Sequence, residues 1–61
     1  MPTVRIDMFP GRTIEQKRAL VDEVTKAIVS SLGVTPESVG LTIWEMEKHH
    51  SARGGVLASD K

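Results

Sequence analysis

Thr3-Val4-Arg5-Ile6-Asp7-Met8-Phe9-Pro10-Gly11-Arg12-Thr13-Ile14-Glu15-Gln16 encodes a strand, a turn and a helix start in one short run. Val4, Ile6 and Met8 alternate with Thr3, Arg5, Asp7 and Phe9, the two-residue period of a strand with one buried face, which predicts a strand over 3–9. Pro10-Gly11 breaks it, because proline removes a ladder donor and glycine supplies turn geometry, and Arg12 follows at the end of the turn. Thr13 and Gln16 stand at the spacing of a capping box, hydroxyl to amide forwards and side-chain amide backwards, so a helix is predicted from here. Ile14, Val21, Val24, Ile28 and Leu32 recur at helical spacing with Leu20 and Ala27 beside them. Glu15, Arg18, Asp22 and Lys26 lie mostly off that stripe. Gly33 is a natural residue to end the helix in a left-handed conformation.

Downstream, Thr35-Pro36-Glu37-Ser38 suits a single helical turn with proline early. A second strand is predicted over 39–46, where Val39, Leu41 and Ile43 alternate with Gly40, Thr42, Trp44 and Met46. Both sets are largely apolar, as in a strand covered on both faces. Strand, helix of about five turns and strand make a βαβ unit with parallel strands and a right-handed crossover. The polar segment 47–61 carries Gly54-Gly55 between Arg53 and Val56-Leu57, a hairpin or loop arm too small to have a core of its own. The fold class is therefore α+β, a β-α-β subunit with a C-terminal arm. A two-stranded sheet leaves one face and two edges bare, and joining two sheets edge to edge into a four-stranded sheet per dimer is the simplest cover.

Size sharpens this point. The 61 residues form one domain spanning 1–61, of a length that buries only about 60% of its unfolded surface. With no cysteine, neither disulfides nor thiolate metal sites can supplement the core, and two adjacent histidines are too few for a structural zinc. Oligomerisation remains. Eight basic residues balance eight acidic ones, and no basic run is interleaved with aromatics, so nucleic acid is not an expected partner. No basic-then-apolar leader and no stretch of about 18 apolar residues is present, so neither a signal peptide nor a membrane span is expected and the chain reads as cytoplasmic.

Pro2 follows Met1 directly. Aminopeptidases remove initiator methionine when the next side chain is small, and proline qualifies, which would leave a free secondary amine. An α-amino group has an ordinary pKa of roughly 7.7–8.0, and apolar burial or a nearby cation lowers it, giving a general base at neutral pH. While Met1 remains, that nitrogen is an amide without basicity. On position alone, proline stiffening the start of a strand is the plainer explanation.

Pro2, the turn Pro10-Gly11-Arg12-Thr13, the stretch Glu15-Gln16-Lys17-Arg18-Ala19-Leu20-Val21, the strand end Ile43-Trp44-Glu45-Met46 and the tail Gly54-Gly55-Val56-Leu57-Ala58-Ser59 together resemble the 4-oxalocrotonate tautomerase family. The resemblance spans nearly the whole chain. It implies a β-α-β subunit with a C-terminal hairpin, a hexamer built as a trimer of dimers, and cofactor-free, metal-free isomerisation of a small 2-hydroxy-dienoic or enolisable 2-oxo acid. Pro2 then matches the catalytic amine, and Arg12 matches an arginine that holds a substrate carboxylate from a neighbouring subunit, a task suited to its planar two-pronged donor. Read without the resemblance, Arg12 is an ordinary solvated turn residue.

Two departures from the family pattern stand out. Gly40 occupies a position where many members carry a second arginine, and Ser51 one where they carry a phenylalanine. Half of the usual polar clamp is missing, which implies modest turnover and broad tolerance unless Arg53, on the same arm as Ser51, supplies the cation; a solvated Arg53 is equally compatible with the sequence. His49 and His50 as neighbours on a strand would point apart and make no metal pair. Trp44 reads as dimer core, Glu45 and Glu47 as solvated. Besides a tautomerase, two readings stay open: a related dehalogenase or decarboxylase, for which no additional acid stands out, and an accessory or weakly active subunit of a hetero-oligomer.

Overall fold

A computed structural model describes residues 1–61. Strand β1 (Thr3–Met8) is followed by helix α1 (Ile14–Leu32), a 3₁₀ turn at Pro36–Ser38 and strand β2 (Gly40–Glu45). A second 3₁₀ turn, Lys48–His50, leads into a hairpin of β3 (Ala52–Arg53) and β4 (Val56–Leu57), and a third closes the chain at Ala58–Asp60. The two main strands run parallel, with Thr3 opposite Gly40, Ile6 opposite Ile43 and Met8 opposite Glu45. β3 and β4 pair antiparallel around Gly54 and Gly55, both at positive φ. The predicted β-α-β unit and hairpin are thus present, with each main strand shorter than expected: Phe9 falls outside β1, and Val39 and Met46 outside β2.

Local chemistry sets the helix limits. Thr13 Oγ1 accepts from the Gln16 N–H at 3.1 Å while Gln16 Oε1 accepts from the Thr13 N–H at 2.9 Å, completing the capping box. At the other end Gly33 adopts φ 68° and donates its N–H to the Val29 carbonyl. Between them Leu20, Val21, Val24, Ile28 and Val29 are half-buried, and β1 and β2 turn the half-buried Val4, Ile6, Met8, Leu41 and Ile43 to one side of the sheet. Ile14 and Leu32, assigned to the stripe by periodicity, are 62% and 63% exposed. A helix of 19 residues runs about 28 Å against about 20 Å for six-residue strands, so its ends overhang the sheet. Ala27 is exposed as well, and Thr25 and Val29 are turned further inward. Glu45 is not simply solvated: Lys17 Nζ lies 3.0 Å from its carboxylate, tying α1 to the end of β2. On the outer side of the helix Asp22 hydrogen-bonds Lys26 at 2.8 Å, and this bond together with its negative charge raises the lysine above its ordinary pKa.

No residue of the single chain is fully buried. The molecule is a slab of 42 × 25 × 13 Å with a radius of gyration of 14.6 Å, against about 10.5 Å for a compact domain of this length. Its accessible surface of 4766 Å² exceeds by roughly 850 Å² the value of about 3,900 Å² typical of a compact monomer of this mass. Much of the bare area is the sheet face away from the helix, which carries Thr3, Arg5, Asp7, Gly40, Thr42 and Trp44. Trp44 is 55% exposed there, with the Arg5 guanidinium 5.0 Å from its ring centre.

Candidate active site

Pro2 lies at the opening of β1. Its carbonyl accepts the Gly40 N–H at 3.0 Å, and the next pair in the ladder is Thr3 with Gly40, so the strand start is fixed to β2 by backbone bonds that need no side chain. Pro2 is half-buried, while Met1 ahead of it is 99% exposed and contributes nothing to the fold. A Cβ placed on Gly40 meets no atom within 4 Å, leaving open space beside Pro2 where a side chain would otherwise stand. Arg5, the first basic residue along β1, is no substitute cation, because its Nε sits 2.8 Å from Asp7 and its guanidinium rests against Trp44.

Arg12 stands beyond the other end of the strand, about 20 Å away along six residues of extended chain. One chain therefore cannot bring Pro2 and Arg12 to one small molecule. Arg12 borders a hollow of about 440 Å³ whose lining includes Met8, Phe9, Pro10 and Lys48. Arg53 borders a second hollow, of about 400 Å³, lined in part by Phe9, Lys48, Ser51 and Val56. Phe9 and Lys48 line both, so the structure gathers Arg12 and Arg53 at the same end of the subunit, away from its own Pro2. Ser51, half-buried, lines the Arg53 hollow, its carbonyl accepting the Ala58 N–H at 2.8 Å across the base of the hairpin.

Lys48 was not singled out from the sequence. A lone lysine after a strand carries no signal; its position follows from the Met46 N–H bonding the Met8 carbonyl at 3.0 Å, after which the 3₁₀ turn brings its ammonium 5.9 Å from the Phe9 ring centre. That same turn places His49 and His50 with rings in edge contact, 4.2 Å between centroids, rather than on opposite faces of a strand as expected. No three His, Cys, Asp or Glu side chains converge as metal ligands, and no helix is long and apolar enough to cross a membrane.

The family model described as tautomerase enzyme matches residues 2–61, beginning at Pro2. The chain is 45% identical over 60 residues to the 2-hydroxymuconate tautomerase of Bacillus subtilis, covering 98% of this chain and 97% of that one. In three dimensions it is similar to the crystal structure of YwhB, a homologue of 4-oxalocrotonate tautomerase, with a TM-score of 0.94 and 43% identity over 98% of both chains. A heterohexameric 4-oxalocrotonate tautomerase from Chloroflexus aurantiacus superposes with a TM-score of 0.91 at 32% identity, over 98% of this chain and 97% of that one. A match from the first strand to the last turn, with the fold reproduced at this identity, leaves one assignment: the chain belongs to the 4-oxalocrotonate tautomerase family of the tautomerase superfamily and is an isomerase.

Proposed function

We propose that the enzyme moves a proton within small 2-hydroxy-dienoic or enolisable 2-oxo acids, using the free amine of Pro2 as general base and needing no cofactor. The observation that carries this reading is the anchorage of Pro2: its carbonyl is held by Gly40 at 3.0 Å while Met1 is 99% exposed. Removing Met1 costs the fold nothing and leaves a secondary amine fixed in direction. The neutral amine takes the proton of the enol O–H, the electron pair shifts through the conjugated carbons, and the resulting prolinium returns the proton to carbon. Atoms and charge balance within one substrate. Ketonisation of 2-hydroxymuconate by the purified, processed chain tests the activity directly; absence of any rate above the uncatalysed one counts against it.

Arg12 enters from a second copy. Identical sheet edges joined about a twofold axis run antiparallel, so the opening of one β1 meets the far end of the other. Such pairing removes the 20 Å obstacle, placing one chain's Pro2 beside its mate's Arg12, and makes a four-stranded sheet. The resemblance extends this to three dimers in a hexamer. In sedimentation experiments the native mass is expected at six times the 6.7 kDa subunit; a folded monomer at micromolar concentration would contradict the shared site.

Arg12→Ala is then expected to lower kcat/KM by about one to two decades, since a bidentate charge-assisted contact contributes about 1.5–3 kcal/mol and also positions the acid against the amine. An unchanged kcat/KM would return Arg12 to the role of turn residue. A second reading is favoured by Gly40, which leaves the Pro2 end without a cation from its own chain, and by the similarity to a heterohexameric relative: the chain acts as one subunit type of a mixed assembly. High activity of the chain alone argues against that reading.

A further inference from the structure

Two adjoining hollows at the Arg12 end share a wall made of Phe9 and Lys48. Four cationic side chains, Arg12, Lys48, Arg53 and the C-terminal Lys61, border them, and none of the four takes part in any of the ion pairs of the chain, which are Arg5–Asp7, Lys17–Glu45 and Lys26–Asp22. No acidic side chain lines either hollow. Asp7, which borders the neighbouring hollow, is taken up by Arg5 at 2.8 Å. Unpaired cations facing one recess repel one another, and an anion between them removes that cost. Phe9, 38% exposed, supplies an apolar surface between the Arg12 side and the Arg53 side.

We infer that Lys48 and Arg53 form a second carboxylate position beside Arg12, so that the site takes an acid with two carboxylates, one on Arg12 and one between Lys48 and Arg53, its hydrocarbon body lying along Phe9. This rests on the reading of Arg12 as a substrate anchor given above. It reassigns the second anchor from the Pro2 end, where Gly40 offers no side chain, to the hairpin arm. Arg53 contributes a planar two-pronged donor and Lys48 a point charge that faces both hollows. The selectivity of the enzyme would therefore reside in the 3₁₀ turn and the hairpin rather than in β2.

Binding of two unreactive acids to the processed, assembled protein tests this without relying on turnover. Adipate carries two carboxylates; hexanoate has the same chain length and one. Wild-type protein is expected to bind adipate at least about tenfold more tightly in calorimetric or NMR titrations, a second charge-assisted contact being amply sufficient for that ratio. In K48Q/R53Q the ratio should fall to within about twofold while hexanoate affinity stays unchanged, and K48R in the R53-intact chain should keep the ratio. Equal affinities in wild type, or a ratio preserved in K48Q/R53Q, would overturn the inference. Should the double variant misfold, R53Q alone is expected to reduce the ratio, and its full retention would be equally decisive. Failure of the broader reading looks different: a chain that selects adipate yet never ketonises an enol retains the second position and loses Pro2 as base, and one whose R12A variant binds both acids normally loses the Arg12 anchor.

Discussion

Protein whose chains keep Met1 is expected to show about 10²–10⁴-fold less isomerase activity than processed protein, the range that a positioned general base contributes. The cause is electronic rather than steric. Acylation turns the Pro2 nitrogen into a tertiary amide whose lone pair is delocalised into the carbonyl, so it cannot accept an enol proton at any ordinary pH. The fold is indifferent to the change, because Met1 is 99% exposed and the start of β1 is pinned through the Pro2 carbonyl instead. Stability and native mass should match between the two forms while rates diverge, which separates loss of the base from loss of structure. For processed protein, kcat/KM should rise with pH as prolinium gives up its proton, since only the neutral amine is competent. Intact-mass measurement of each preparation beside its rate decides the matter; full activity in chains shown to retain Met1 would remove Pro2 as the base. Pro2→Ala tests less sharply, as processing would leave a primary amine in the same place.

Much of the fold could be read from short-range rules because those rules act locally. The alternation of Val4, Ile6 and Met8, the reciprocal bonds of Thr13 and Gln16, and the left-handed Gly33 each follow from a few neighbouring residues, and the structure reproduces all three. Where the outcome depended on the length of one element against another, the reading failed. Ile14 and Leu32 have the right phase for the apolar stripe but project past a sheet shorter than the helix. Lys17 and Glu45 are 28 positions apart, and nothing in the sequence pairs them. The site was legible only in part for a related reason. Pro2 and Arg12 gain meaning from resemblance to a family, whereas the chain's own geometry sets them a strand apart and leaves their union to a second copy. Lys48 escaped because its place is set by where the backbone turns after Met46, a tertiary result with no signature in residue type.

Gly40→Arg is expected to raise kcat, by as much as about 10²-fold, on monoacid and dicarboxylate enols alike. Once the enol proton has moved to the amine, negative charge sits on the enol oxygen, and a single preorganised donor at such a position commonly accounts for about 10²–10³ in rate. At the Pro2 end the wild-type chain supplies no such donor of its own, since Gly40 has no side chain and Arg5 is committed to Asp7 and Trp44, while the mate's Arg12 is engaged by a substrate carboxylate. Accommodation is not the obstacle. A Cβ at Gly40 meets nothing within 4 Å, and the backbone there lies outside the left-handed region that only glycine tolerates well. An arginine at this position, opposite Thr3 and one ladder step from Pro2, adds a cation without displacing the hydrogen bond to the Pro2 carbonyl, which is made by backbone alone. The same cation disfavours protonated Pro2, so the rising limb of the pH profile should move to lower pH. Because the gain acts on the enol oxygen, common to every substrate, it should leave the preference between one and two carboxylates nearly untouched; on the inference above that preference is set by Lys48 and Arg53. A variant that folds and assembles normally yet shows no gain in kcat would mean that the enol oxygen already has a donor, and the open space beside Pro2 would then carry no catalytic deficit.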